Sequence, residues 1–151
     1  MELKNDNVTL VNLIRLQQAF GSGSMKAVKT YNILYQKNLL TRPFEKDNLY
    51  GAVESKAADK ILSIDVESIY KIIDDCVKNN IFIIPPLDTQ YPERLRSIAD
   101  FPIVLYIKGK LPEIDREPVI SIVGPRKISQ FGKKASFSLA KRLCAAGMII
   151  A

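Results

Sequence analysis

The chain contains no histidine and no tryptophan, and only two of its 151 residues are cysteines. The absence of histidine removes the most common general base and the most common metal ligand of proteins. Two cysteines, Cys76 and Cys144, are too few for a four-thiolate zinc site. Both lie in apolar stretches with helical spacing, so we expect buried free thiols in a reducing compartment and no bound metal.

Long apolar runs are absent as well. No stretch approaches the roughly 20 residues that a membrane-spanning helix needs, and the first six residues do not form the apolar core of a signal peptide. Hydrophobic residues make up 47% of the chain and charged residues 25%, which is typical of a globular protein. We therefore expect a cytoplasmic protein that has no membrane partner.

The net charge of +6 is distributed unevenly. Residues 1–80 are nearly balanced, whereas residues 81–151 carry 11 basic and 6 acidic side chains. From Gly124 onward there is no acidic residue, and the six basic ones are Arg126, Lys127, Lys133, Lys134, Lys141 and Arg142. A block of one sign is a candidate surface for phosphate or nucleic acid, and a solvated helix face is the alternative.

The first half of the chain has helical periodicity and no strand signal. The spacing of apolar residues predicts helices over 8–20, 27–35, 55–62 and 65–79. The sequence Gly21-Ser22-Gly23-Ser24 separates the first two, a pattern that fits a helix-hairpin-helix. Such a hairpin can present backbone amides to DNA, and a purely structural turn is the alternative. We predict a small all-α domain over residues 1–79.

The second half changes to short apolar runs, which predict strands over 81–84, 103–107, 118–123 and 148–151. A short helix is predicted over 91–99 and a long one over 130–146, with Ser129 as its N-cap and Gly147 after its end. The apolar stripe of the long helix is predicted at Ala135, Leu139, Leu143 and Ala146.

The order strand, turn, helix, strand is that of the first βαβ unit of a Rossmann-like, doubly wound parallel sheet. The predicted fold class is therefore α/β, with a boundary between residues 79 and 80 and the start of this sheet within 80–151. A sheet interrupted at this point would leave open edges, so we expect the chain to be the N-terminal part of a longer protein.

The turn that follows the strand over 118–123 is the candidate phosphate site. A loop between a parallel strand and a helix N-terminus offers free amides and the positive end of the helix dipole to an anion. Gly124 permits close approach, Arg126 can bind phosphate with two hydrogen bonds, and Lys127 adds charge. Lys133 and Lys134 lie in the first helical turns, where the helix dipole disfavours cations. Their unfavourable position indicates that they bind a ligand. The full glycine pattern for NAD or FAD is missing, and we expect no cofactor.

Several stretches together resemble one family. They are Tyr91-Pro92 with Leu95 and Ile98; Asp100-Phe101-Pro102 with Val104-Leu105-Tyr106 and Gly109; Ile122-Val123-Gly124-Pro125-Arg126; Ser129-Gln130-Phe131-Gly132; and Leu139-Ala140, Leu143 and Gly147-Met148-Ile149-Ile150. In this order and spacing, residues 81–151 resemble the DNA-processing protein A family (DprA/Smf) of bacterial natural transformation. The resemblance is loose over 1–80, where that family commonly carries a sterile-alpha-motif-like (SAM-like) or hairpin domain.

The resemblance implies a non-enzymatic protein that binds and protects single-stranded DNA and helps to load the RecA recombinase. It implies a homodimer for the full-length protein. By motif position, Gly124, Arg126 and Lys127 would belong to the family's phosphate-binding loop, and Ser129 and Gly132 would shape the start of its helix. Pro125 departs from the pattern, since a small residue, often serine, is usual there.

A second class of function remains open. Nucleotide-processing phosphoribohydrolases of the lysine-decarboxylase-like type are related in shape and also place a phosphate loop after a parallel strand. Such an enzyme would need acidic catalytic residues beyond Ala151. A chain that folds and binds no ligand is the third alternative.

Overall fold

The computed structural model describes residues 3–151, with side chains from residue 8 onward. The described residues form seven helices and four short strands, which is a mixed α/β fold as predicted. In chain order they are α1 (Leu3–Phe20), α2 (Met25–Gln36), α3 (Lys46–Leu49), α4 (Ser55–Leu62), α5 (Val66–Lys78), β1 (Ile81–Ile84), α6 (Glu93–Arg96), β2 (Leu105–Lys108), β3 (Val119–Ile120), α7 (Gln130–Ala145) and β4 (Ile149–Ile150).

The chain divides into two compact units, one ending at Lys110 and the other spanning Leu111–Ala151. The first unit contains the five N-terminal helices together with β1, α6 and β2. The predicted domain boundary between residues 79 and 80 concerns the domains of a whole protein and stays a prediction. In the described part of the chain, no helix has both the length and the apolar character needed to cross a membrane.

The four long helices predicted in the first half are present at nearly the predicted positions. The turn between α1 and α2 depends on glycine, because Gly21 and Gly23 have φ angles of +87° and +67°. Residues with a side chain rarely adopt such angles. Ser24 caps α2, and Ala27 is buried, so the two helices pack closely. Helix α5 starts where expected, since the Asp65 carboxylate accepts hydrogen bonds from the amides of Glu67 and Ser68. The four-residue α3 was not predicted.

The core of the first unit combines both halves of the sequence. Side chains that are at least 98% buried come from the helices and from the segments on either side of α6; they include Leu13, Ile14, Leu16, Leu34, Leu49, Ile61, Ile69, Tyr91, Ile103 and Val104. Strands β1 and β2 pair antiparallel, with Ile81 opposite Lys108 and Ile84 opposite Leu105. The continuous apolar run over 81–84 is typical of a short buried strand, and the predicted strand is present; the expected burial is wrong for Phe82, which is 63% exposed, because this two-stranded sheet has one outer face.

Helix α1 is joined to the segment before β2 by a pair of buried hydrogen bonds. The Gln17 side-chain amide donates to the carbonyl of Val104 (3.0 Å), and the amide of Val104 donates to Gln17 Oε1 (2.8 Å). Both residues are buried. Since buried backbone groups must find partners, one glutamine side chain satisfies both polar groups of Val104 and fixes the position of that segment on α1.

The second unit contains a parallel strand pair joined through α7. Val119 lies opposite Ile149 and Ile120 opposite Ile150, and hydrogen bonds from Ile122 to Ala151 and from Ala151 to Ile120, each 3.0 Å, extend the pairing. The predicted parallel arrangement is confirmed. The predicted strand over 118–123 is too long, however, since Val123 is 88% exposed.

Two further expectations for this unit are corrected. The predicted apolar stripe of α7 is wrong except for Leu143: Ala135, Leu139 and Ala146 are exposed, and the less exposed positions of the helix are Gly132, Ser136, Ala140 and Leu143. Three of these four positions carry small residues. Cys144 is exposed and not buried, whereas Cys76 is buried as expected, and burial raises the pKa of the Cys76 thiol.

Replacing Gln17 tests the junction between α1 and the segment before β2. Gln17→Met keeps an unbranched side chain of similar length but leaves the N–H and C=O of Val104 without partners. Each unsatisfied buried group costs about 1–3 kcal/mol, so the loss of partners for two groups should lower the free energy of unfolding in urea by about 2–6 kcal/mol. The matched control is Gln18→Met, on the exposed side of the same helix, which should change it by less than about 0.5 kcal/mol. Equal effects of the two substitutions would contradict this role of Gln17.

Candidate phosphate-binding site

The predicted phosphate loop occupies residues 121–129, between the end of β3 and the first residue of α7. Gly124, Arg126 and Lys127 are all exposed, and the backbone bends at Arg126 and Lys127. The cationic side chains therefore lie in solvent at the carboxyl end of a parallel strand. Ligands of open α/β sheets bind at this end of the strands.

The start of α7 is fixed by Ser129. Its backbone is extended (φ −74°, ψ 159°), and its hydroxyl accepts a hydrogen bond from the amide of Gly132 at 3.1 Å. The carbonyl of Ser129 accepts the amide of Lys133 at 2.9 Å. This confirms the predicted N-cap.

The cap decides which amides an anion can use. The Gly132 amide is already bonded to Ser129, and by helix geometry the amides of Gln130 and Phe131 have no acceptor within the helix. These two groups, at the positive end of the helix dipole, are the backbone donors available to a phosphate. These two amides were not predicted from the sequence, although the N-cap position marks them, since the two residues after a cap carry such amides.

Gly132 has a steric role in the same turn. A Cβ added at Gly132 would lie 3.2 Å from Cγ1 of Ile128 and 3.3 Å from Oγ of Ser129, which is tighter than ordinary van der Waals contact. Glycine therefore allows the residue before the cap to fold back over the first turn. This agrees with a part for Ser129 and Gly132 in shaping the start of the helix.

The basic block divides into two groups along α7. Lys133 and Lys134 are exposed in the first two turns, so all seven predicted site residues lie between the end of β3 and the second turn of α7. Lys141 and Arg142 lie near the other end of the helix, roughly 17 Å from Gln130 at 1.5 Å per residue. The structure thus groups the predicted residues and separates the two cations that were not assigned to the site.

One exposed aromatic side chain in this segment was overlooked. Phe131, the second residue of α7, is 81% exposed and follows the loop that carries Arg126 and Lys127. Large apolar side chains are more often buried than exposed. The signal in the sequence was the position of an aromatic residue among basic residues at a helix start.

The residues around Tyr91 and Phe101, which carry much of the resemblance, have a structural part in the first unit. The Tyr91 hydroxyl donates to the carbonyl of Pro102 at 2.6 Å, and the Tyr91 and Phe101 rings meet edge to face at 6.3 Å. Burial raises the pKa of Tyr91 to about 12. This tyrosine therefore stays neutral and holds the turn before β2.

Comparison with known proteins identifies the second half of the chain. Residues 82–151 match the family model of DNA recombination-mediator protein A. Over these residues the chain is similar to that family. A segment of 67 residues is 39% identical to the DNA processing protein DprA of Bacillus subtilis (strain 168), covering 44% of this chain and 23% of that protein. No solved structure matches the chain. The resemblance to the DNA-processing protein A family is confirmed, and the chain spans less than a quarter of this relative's length.

Arg126 is the residue whose replacement tests the site most directly. Arg126→Ala should lower the affinity for a single-stranded oligonucleotide about tenfold or more, because a hydrogen bond to a charged group contributes about 1.5–3 kcal/mol. Arg126→Lys should restore only part of the loss, since lysine cannot bind phosphate with two hydrogen bonds. Fluorescence anisotropy with a labelled oligonucleotide measures both effects.

The control for Arg126 is Arg116→Ala in the same unit. Arg116 is exposed and pairs with Glu113 at 3.2 Å, so its loss removes one positive charge outside the loop. The thermal midpoint should be unchanged in both variants. An Arg126→Ala protein that unfolds, yet binds normally per folded molecule, would make Arg126 a structural residue.

Proposed function

We propose that this chain acts in DNA recombination by binding single-stranded DNA through the phosphate groups of the strand. The observation that carries the proposal is the loop between β3 and α7, where Arg126 and Lys127 precede a capped helix start and no acidic residue follows Gly124. The amides of Gln130 and Phe131 add neutral donors at the same place. The match of residues 82–151 to the model of DNA recombination-mediator protein A supports the role in recombination.

The preference for a single strand rests on Phe131. Proteins that bind single strands without sequence preference combine a cationic groove with aromatic side chains on which bases stack. Phe131 is an exposed ring directly after the cationic loop. The bases of a double strand stay stacked on one another, so a duplex would contact the cations without stacking a base on Phe131.

The fold proposed for this region is Rossmann-like. The parallel pairing of β3 with β4 and the 16-residue helix between them have the form of one βαβ unit. One unit is the smallest part of such a sheet. We accordingly propose that residues 80–151 are the N-terminal part of a Rossmann-like domain and residues 1–79 a SAM-like or hairpin domain.

For the whole protein we propose the remaining properties that the resemblance implies. It protects single-stranded DNA, assists loading of the RecA recombinase, forms a homodimer and catalyses no reaction. The similarity to a DNA processing protein, DprA, supports this set. Neither comparison favours the phosphoribohydrolase alternative.

The dependence of binding on salt tests the mechanism. Each phosphate neutralised by a cation releases counterions, with a slope of about −0.7 per phosphate for single strands in a plot of log affinity against log salt. Four cations in the segment, Arg126, Lys127, Lys133 and Lys134, predict a slope of roughly −2 to −3. A duplex of the same length should bind more weakly at every salt concentration. Affinity that does not change between low and moderate salt would contradict the proposal.

A further inference from the structure

The first unit contains two neighbouring surface clefts that the phosphate loop does not involve. The smaller has a volume of about 290 Å³ and is lined by Tyr31, Tyr35, Pro86, Leu87, Arg96 and Phe101, among others. The larger has about 550 Å³ and shares Tyr35 and Leu87 with the first. These two shared side chains therefore separate the clefts.

The wall of the smaller cleft is a cluster of aromatic rings. Tyr31 and Tyr35, one helical turn apart on α2, are nearly parallel, with centroids 6.0 Å apart and an angle of 19°. Phe101 meets Tyr31 edge to face at 5.9 Å. Tyr31 and Phe101 are buried, whereas Tyr35 is 52% exposed. The buried rings hold the cluster in place, and Tyr35 presents an aromatic surface to solvent.

A positive charge lies at the same cleft. Arg96 is exposed, and its Nη2 donates to the carbonyls of Tyr91 (3.3 Å) and Asp88 (3.4 Å). Its guanidinium carbon is 5.6 Å from the centroid of the Tyr91 ring. The guanidinium of an arginine held in this way has further N–H donors for a phosphate.

The larger cleft differs in chemistry. Beyond Tyr35 and Leu87 its lining includes Asn38, Thr41 and Asp88. The Asp88 carboxylate disfavours a phosphate there, while amide, hydroxyl and carboxylate groups can pair with the polar edge of a base. The two clefts therefore share the aromatic ring of Tyr35. The smaller cleft has the cation Arg96, and the larger cleft has polar groups that can hydrogen-bond to the edge of a base.

A nucleotide matches all of these features, because it joins a planar base with polar edges to a phosphate. We propose that the two clefts hold two successive bases of single-stranded DNA, one in each cleft with Tyr35 at their common border, and that Arg96 contacts a phosphate at the smaller cleft. This site rests on the proposed function, since it takes the same ligand as the loop. It adds a base-contacting region on the first unit of the chain.

The test uses the full chain and a tetrathymidylate, which is short enough to report on a local site. Stacking of a base on an aromatic ring is worth about 1–3 kcal/mol, so Tyr35→Ala should lower the affinity about tenfold. Tyr35→Phe keeps the ring and should stay within about twofold. The control is Tyr70→Ala, which removes a partly exposed tyrosine of α5 that lines neither cleft.

A tetranucleotide without bases gives a second measurement. In NMR titrations the ring signals of Tyr31, Tyr35 and Phe101 should shift with tetrathymidylate and remain unchanged with the abasic chain. Absence of these shifts, or an unchanged affinity of folded Tyr35→Ala, overturns the proposal. Shifts caused by a proline-rich peptide and not by tetrathymidylate would make the clefts a peptide site and overturn it as well.

The two proposals fail in different ways. If Arg126→Ala weakens binding of a long oligonucleotide and Tyr35→Ala changes binding of neither ligand, the loop binds DNA and the clefts do not. If Tyr35→Ala weakens tetrathymidylate binding and Arg126→Ala has no effect on the long oligonucleotide, the clefts bind DNA and the phosphate loop is wrong.

Discussion

Three buried polar side chains of α1 hold the first unit together, and the rest of that unit depends on them. Asn12 donates to the carbonyls of Leu40 (2.9 Å) and Arg42 (2.7 Å), and Arg15 to the carbonyl of Ile61 (3.3 Å). Gln17 makes the pair of bonds with Val104. The Asn12 and Gln17 bonds satisfy backbone groups of segments outside regular structure, and the Arg15 bond reaches a carbonyl in the last turn of α4; buried polar groups require such partners. An apolar α1 would bury as much surface, but it would leave these segments unfixed.

In the second unit, the hydroxyl of Ser129 fixes the helix start at the candidate site. Ser129 bonds the amide of Gly132 and so leaves the first two amides of α7 to a ligand. Glycine at 132 admits Ile128 close to the turn. The side chains of Arg126 and Lys127 can then remain in solvent, because the Ser129 cap at the end of the loop determines where α7 begins.

The parts of the fold that could be predicted are those with local signals. Asp65 and Ser129 mark helix starts, and Gly147 adopts the positive φ (+84°) expected after α7. The antiparallel pairing of β1 with β2, the exposure of Phe82 and the Gln17–Val104 bonds involve residues distant in sequence, and no local pattern encodes them. The stripe of α7 was misplaced because Gly132 and Ser136, which lie on its less exposed face, carry no hydrophobic signal. Of the site, the cations and the cap were predictable; which amides the cap leaves available was not.

The central claim is that single-stranded DNA lies on the segment from Gly124 to Lys134. Photocrosslinking with oligonucleotides containing 5-iodouracil, followed by mass spectrometry of the peptides, locates the contact without any substitution. The account predicts a crosslink at Phe131, whose ring is exposed beside the cations. This crosslink should disappear at high salt, which weakens the contacts between the cations and the phosphates. Crosslinks confined to α5 and the two-stranded β1–β2 sheet, with none between Gly124 and Lys134, would contradict it.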